Sequence, residues 1–455
     1  MPTTPTQVTL TATSAEVLNV IRNNASQNYR DFVPVATTGA ESVRTIGNVI
    51  MQYPALQNEF INSLVNRIAM VICTSRLYSN PWARFKKGFV DLGETIEEIF
   101  VELAKPFQYD PAVAESELFK REIPDVRTAF HIRNYTKFYK ITVSRNDLKQ
   151  AFLSWDGVQD LIDKIINSLY SAVNYDEFIV MKYLIARQIL NGFFPVVTVP
   201  SVSTGNMSEI VSEIKGVSNS FEFMSRDYNL AGVRTRVEKQ KQILIKSSKF
   251  DAKVSVEVLA EAFNMEKADF AGHQILVDGF GVMDNERLAE LFADSTEYVE
   301  LTDEECTALN AVTCVLCDEE YFRIYDNLFE LKTQENGQGL YWNYYLHAWK
   351  TFSTSPFANK AVFLPATPSV LSVTVSPSTM TIPVGGSGQF TAVVETENFA
   401  SQTVTWRLTN PNSGIEISQT GLVTLKNSGL AGSFDIQATS VFDNTVVGTA
   451  VVKIG

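Results

Sequence analysis

The hydrophobic rhythm of the chain changes several times, and each change marks a segment. The first fifty residues are polar and Thr-rich but hold one helix start, and a second helical stripe follows from Pro54. Thr13 and Glu16 stand three apart ahead of Val17, Leu18 and Ile21, the spacing at which a cap hydroxyl and a carboxylate satisfy each other's backbone donors. Pro54, whose ring presets a helical φ where no donor is needed, opens the stripe Leu56, Phe60, Leu64 and Ile68. This stretch reads as an arm carrying helices rather than a compact domain.

Between 81 and 144 the period falls to two. IEEIFVEL (96–103) sets Ile99, Val101 and Leu103 against Glu98, Phe100 and Glu102. DVRTAFHIR (125–133) sets Val126, Thr128, Phe130 and Ile132 against Arg127, His131 and Arg133. The pattern predicts two long strands joined by a helical tip, PAVAESELFKRE (111–122). Two strands alone bury no core, so this projection needs either its own chain or a neighbouring copy to lie against.

The helical period returns with Val158, Leu161, Ile162, Ile165, Ile166, Leu169 and Val173, after Asp156 and Gln159 at capping-box spacing. Asn191-Gly192 and then Pro195 stop it. Unbroken, this helix has roughly 34 residues and a length of about 50 Å, long enough to act as a spine. From 196 to 335 helices and strands alternate, with strands at 241–248 and 273–281 and a helix from Ser255. FANKAVFLP (357–365) is a further strand, and PATPSVL (365–371) a linker. Beyond it, about seven short Thr- and Val-rich strands predict an immunoglobulin-like β-sandwich around Trp406. The whole is α+β followed by an all-β module.

GLYWNYYLHAWKTF (339–352) gathers Tyr341, Trp342, Tyr344, Tyr345, Trp349 and Phe352. Base-stacking platforms pair exposed rings with a basic groove. Here the rings occupy both strand faces and Lys350 is the one cation, so a strand covered on both sides, in a core or a large contact surface, fits better.

Composition narrows the function. The 455 residues are 45% hydrophobic and 20% charged, as in ordinary globular proteins, but carry a net charge of -13. That sign opposes a free-standing nucleic-acid binder. No run of eighteen apolar residues predicts a membrane span, and the N-terminal residues show no secretory pattern. Four cysteines in so long a chain are no disulfide framework, which fits a reducing compartment during synthesis.

Candidate chemistry is sparse. Cys314-x-x-Cys317, with Cys306 nearby, lacks the second pair a structural zinc site needs, and His131, His273 and His347 are far apart. In a strand an offset of three turns the two thiols to opposite faces, so buried small hydrophobes are expected. GGSG (385–388) is followed by Gln389-Phe390 rather than Lys-Ser/Thr and reads as a turn, as do Asp278-Gly279 and Asp284. No catalytic, cofactor-binding or metal residues are assigned. Lys86, Lys87, Glu97 and Glu98 are either solvated charges or subunit-contact groups.

Three segments carry a resemblance: RFKKGFVDLGETIEEIF (84–100), VLAEAFNMEKADFAG (258–272) and YDNLFELKTQENGQGLYWNYYLHAWKTFSTSPFANKAVF (325–363). They resemble major capsid proteins of phi-29-like podoviruses, and the terminal sandwich resembles a group-two bacterial immunoglobulin-like domain. The resemblance implies an HK-97-like capsid fold over 1–365. Within it, 1–80 would be the N-terminal arm, 81–144 the extended loop, 145–195 and 336–365 the peripheral domain, and 196–335 the axial domain. The immunoglobulin-like domain would take 366–455. It further implies no enzyme activity and no cofactor. The implied partners are the chain itself in pentamers and hexamers, scaffolding and portal proteins, and packaged double-stranded DNA held without sequence specificity. The location would be the virion, after assembly in the bacterial cytoplasm. Segment 284–309 is longer than that family pattern. The rival expectations are a surface adhesin or fibre with an immunoglobulin-like binding module and, more distantly, an enzyme using Cys314 and Cys317.

Overall fold

The computed structural model describes residues 13–72, 80–91, 95–107, 121–153, 157–254, 273–296, 298–410, 412–426 and 432–455. In chain order they form helices α1 (Ser14–Asn24), α2 (Gln27–Phe32), α3 (Ala40–Gln52) and α4 (Pro54–Ile72). Strands β1 (Lys86–Phe89), β2 (Ile96–Val101), β3 (Val126–His131) and β4 (Tyr135–Ser144) precede α5 (Arg145–Ala151) and α6 (Gly157–Leu190). Next come β5 (Val196–Thr198), α7 (Met207–Ser220), β6 (Gln242–Ser247), β7 (Gln274–Val277) and β8 (Cys314–Asp318). β9 (Phe322–Asn336), β10 (Tyr341–Thr354) and β11 (Lys360–Leu364) follow, and strands β12 (Ser369–Ser376) through β20 (Val447–Ile454) complete the described chain. The helix expected from Ser255, the tip at 111–120 and the Asp156 cap lie outside the described residues.

The chain divides into two compact units. The first takes Met1–Thr95, His131–Phe178 and Ile324–Phe352. Its sheet runs β1-β9-β10-β4, and β10 pairs antiparallel with β4 from Tyr341 opposite Ser144 to Lys350 opposite Tyr135. Trp342, Tyr344, Leu346 and Ala348 of β10 share one buried cluster with Val17, Leu18 and Ile21 of α1, Val43 and Ile46 of α3, Phe60 of α4 and Ile165 and Leu169 of α6. The apolar stripes of the opening helices thus close over this sheet. Thr13 and Glu16 make the capping box, with the Thr13 amide donating to Glu16 at 2.8 Å.

The second unit takes Ile96–Phe130, Ile179–Arg323 and Ser353–Gly455. It holds the β2-β3 ladder and a five-stranded sheet ordered β5-β11-β8-β6-β7. β6 and β11 are buried along their whole length, as expected of strands covered on both faces. Ile210, Ile214 and Val217 of α7 pack on Leu244, Leu316 and Phe363. The α6 helix spans the expected 34 residues and stops at Gly192, whose φ of 66° side chains with a Cβ resist. The C-terminal strands form the sheet β13-β20-β19-β16 (β13 Thr379–Ile382, β16 Val404–Leu408, β19 Ser433–Ser440) together with β14-β18-β17 (β14 Ser387–Gln389, β17 Ile415–Ile417, β18 Leu422–Leu425) and β12-β15 (β15 Thr391–Glu397). Their core is Trp406, Phe390, Ile436 and Val452, with Val404 and Leu408 packed against it.

Candidate functional site

The β2-β3 hairpin turns its apolar side the wrong way for a free subunit. Ile99, Val101 and Leu103 are 59%, 56% and 57% exposed, and Val126 and Phe130 on β3 are 49% and 63% exposed. The alternate residues face their own unit and are held there. Arg323 pairs with Glu98 at 2.7 Å, and Ser355 donates its Oγ hydrogen to the same oxygen at 2.9 Å. Two residues on, Phe100 stacks on Phe357 with ring centroids 5.5 Å apart. Two further on, Glu102 meets Arg234 at 3.1 Å and Arg226 at 3.4 Å. Lys105 and Glu122 pair at 3.1 Å across the two arms. Burial drives apolar surface inward at roughly 25 cal/mol per Å². Five exposed apolar side chains on one face, opposite an anchored polar face, make this the candidate contact surface.

The four charged candidates separate on this geometry. Lys86 is engaged inside the first unit, 3.1 Å from the fully buried Glu177 and 3.9 Å from Asp326. Lys350 pairs with Glu177 as well and lies 3.0 Å from Asp326; these carboxylates outweigh its desolvation and raise its pKa. Glu98 is the inward anchor to Arg323. Lys87 is half-buried, and Glu97 alone of the four stands exposed, on the same side of β2 as Ile99.

The aromatic strand is covered on one side rather than two. Trp342, Tyr344, Leu346 and Ala348 are buried, while Tyr341, Tyr345, His347 and Trp349 are half-buried on the other face. Cations from outside the run cap those rings. Lys140 of β4 lies 5.7 Å from the Tyr345 ring centre, and Arg133 lies 4.8 Å from that of Trp349. Phe138, exposed, sits against Tyr345 and His347. The lone cation of the run, Lys350, points the opposite way, into the Glu177 pair. Register across β4 decides this, and a linear count of charges misses it.

Cys314 and Cys317 are fully buried in β8, and burial pushes both thiols up, away from the thiolate that metal binding or nucleophilic attack requires. Asp278 pairs with Lys182 at 2.5 Å while capping the Gly279 amide, a turn after β7. Residues 285–291 and 303–309 of the long segment are short helices, the second with a Thr302–Glu305 capping box. Among the described residues no helix is long and apolar enough to cross a membrane.

The first unit is a sheet packed under helices, and the second holds a five-stranded sheet and a hairpin whose apolar face is exposed. The same fold occurs in the capsid structure of Staphylococcus phage Andhra, with a TM-score of 0.50 at 15% identity over 64% of this chain and 87% of that one. This is the HK-97-like capsid fold. More narrowly, the chain belongs to the Phi29-like phage major capsid protein family, whose profile matches residues 18–364. A bacterial Ig-like domain of group 2 matches 369–451. The major capsid proteins of Bacillus phages PZA and B103 are 36% and 35% identical over 97% of this chain and 94% of each of theirs. The adhesin or fibre expectation is not favoured.

Proposed function

We propose that this chain is the repeating subunit of a tailed-phage head, in which copies arranged as pentamers and hexamers close into an icosahedral or prolate shell around DNA. The observation that carries this reading is the solvent-facing apolar side of the hairpin. Covering five half-exposed side chains on a neighbour is worth roughly 5 kcal/mol per contact. Repetition then turns that modest gain into a durable particle. Glu97, exposed beside Ile99 on the open face, would tune that contact, and Lys87 is proposed as a second subunit-contact group. Glu98 would support it from within its own chain through Arg323, and Lys86 is taken up inside the first unit by Glu177.

Division into an arm (1–80), extended loop (81–144), peripheral domain (145–195 and 336–365), axial domain (196–335) and Ig-like domain (366–455) belongs to the same proposal. A scaffolding protein and a portal would direct closure in the bacterial cytoplasm. Packaged double-stranded DNA would lie against the inner face without sequence readout, because a chain of net charge -13 contains a polyanion better than it grips one. The role is structural, with no substrate. Electron microscopy of the chain co-expressed with its scaffolding protein tests the reading: closed particles are expected, and small discrete oligomers alone would overturn it.

A further inference from the structure

Along β2 the inward anchors recur at every second residue, and the outermost differs in kind from the others. Glu98 meets Arg323 where both side chains are largely buried, and Phe100 stacks on a ring. Glu102 is 9% exposed itself, yet its two arginines are half-exposed. The arginines come from the two sides of one pinched loop. Ser225 and Thr235 exchange backbone hydrogen bonds at 3.2 and 3.1 Å, which puts Arg226 and Arg234 side by side at the loop's neck. The Asn229 side chain braces the loop from inside, donating to the Val233 carbonyl at 2.8 Å and accepting from its amide at 2.9 Å. The Ala231 amide is tied to the Pro356 carbonyl at 2.9 Å, and the Ala231 carbonyl accepts a hydrogen bond from Arg127 on β3. Both arms of the hairpin are thus held by residues 226–234. Partial burial pushes the Glu102 carboxyl up, but hydrogen bonds from Arg234 and the charge of Arg226 hold it below the ordinary carboxylate value.

We propose that Glu102, clasped by Arg226 and Arg234, is a positioning residue for assembly: it fixes the outer end of the hairpin at the angle that offers Ile99, Val101, Leu103 and Phe130 to a neighbouring copy. This rests on the hairpin face being an intersubunit surface. Ion pairs between half-exposed groups add little to the stability of a folded chain. Their geometric effect is separate: without the clasp the β2 arm is pinned only at Glu98 and Phe100, and beyond them the hairpin keeps only the Arg127–Ala231 tie on its other arm. A clasp of this kind is therefore weak in the free subunit and decisive in the shell, where every copy repeats the same angular error.

Full-length Glu102→Gln and the double variant Arg226→Gln/Arg234→Gln, each co-expressed with the scaffolding protein, test this. Particle yield by sedimentation should fall about tenfold or more because the defect recurs at every contact. The melting temperature of the unassembled chain should move by less than about 2 °C. Exchanging the charges, with Glu102→Arg, Arg226→Glu and Arg234→Glu together, should restore particles. Wild-type yield from Glu102→Gln and from the double Arg variant overturns the proposal. A melting temperature that falls in step with yield also overturns it, since Glu102 would then be structural. Phe130→Ser run in parallel separates the two claims. If it abolishes particles while the clasp variants assemble, only the clasp is lost. If all assemble, the interface reading is lost with it.

Discussion

The hairpin and the C-terminal sandwich share a period of two but not its direction. In the sandwich Trp406, Ile436, Ala438 and Val452 turn inward and are buried, while Arg407 stays outside and donates to Gln437 on the next strand at 2.6 Å. In the hairpin Glu98 and Glu102 turn inward, while Ile99, Val101 and Leu103 face solvent. Each arrangement satisfies the same rule, that apolar surface ends up dry and buried charge ends up paired. One does so within its own chain, and the other has only the polar half completed there. The direction of alternation thus separates a sandwich whose apolar face is closed from a hairpin whose apolar face is open.

The comparison breaks hardest at Trp406. Its removal takes a large ring from a closed core, so Trp406→Ala should cost about 3 to 5 kcal/mol in denaturant unfolding of the sandwich followed by circular dichroism. A cost near zero would mean that the sandwich, too, awaits a partner.

An intermediate case sharpens the rule for inward charges. Lys360 opens the buried strand β11 and makes no ion pair with a carboxylate among the described residues; Tyr321 and Phe194 flank its ammonium at 4.4 and 5.8 Å. Desolvation lowers its pKa from 10.5 to about 7, against a smaller opposing pull from Cys317. Folding therefore carries its full penalty below pH 7, where both states are protonated. The penalty fades as pH rises from 7 toward 10.5, where the unfolded chain binds more protons than the folded one. Lys360→Met should raise stability at pH 6 by about 2 to 4 kcal/mol and flatten the pH 7–10 slope. A destabilised variant would show that the two rings hold the ammonium better than burial penalises it. By contrast Glu98 and Glu102, inward but paired, fit the rule as they stand.

How much of this was legible beforehand follows from the range of each interaction. The 34-residue helix was legible because its apolar stripe, Asn191-Gly192 and Pro195 act locally. The sandwich was legible because alternation and turns repeat, although β12 to β20 number more strands than the seven expected. Period two located the hairpin but carried no sign: Glu98 faces inward because Arg323, 225 residues away, receives it. The same distance hid Lys86, which pairs with Glu177, and the Arg133 and Lys140 that cap the aromatic strand. Contact residues chosen as exposed-looking charges consequently mixed one on the open face, Glu97, with two engaged internally.

The smallest effect on the free subunit belongs to the open face itself, and there the comparison is sharpest. Val101→Thr changes shape hardly at all and exchanges a methyl for a hydroxyl. On the free chain Val101 is more than half exposed, so water serves that hydroxyl and stability should shift by less than about 0.5 kcal/mol. In the shell the hydroxyl would be pressed against apolar atoms without a partner, at about 1 to 3 kcal/mol for each copy. The expected pair of results is an unchanged melting temperature and a marked loss of particles. A substitution silent in both would mean that no neighbour covers this face, whereas one that unfolded the free chain would mean that the face is already buried by its own chain. Only a hydroxyl tolerated alone and rejected in company identifies a surface whose burial is completed by another copy.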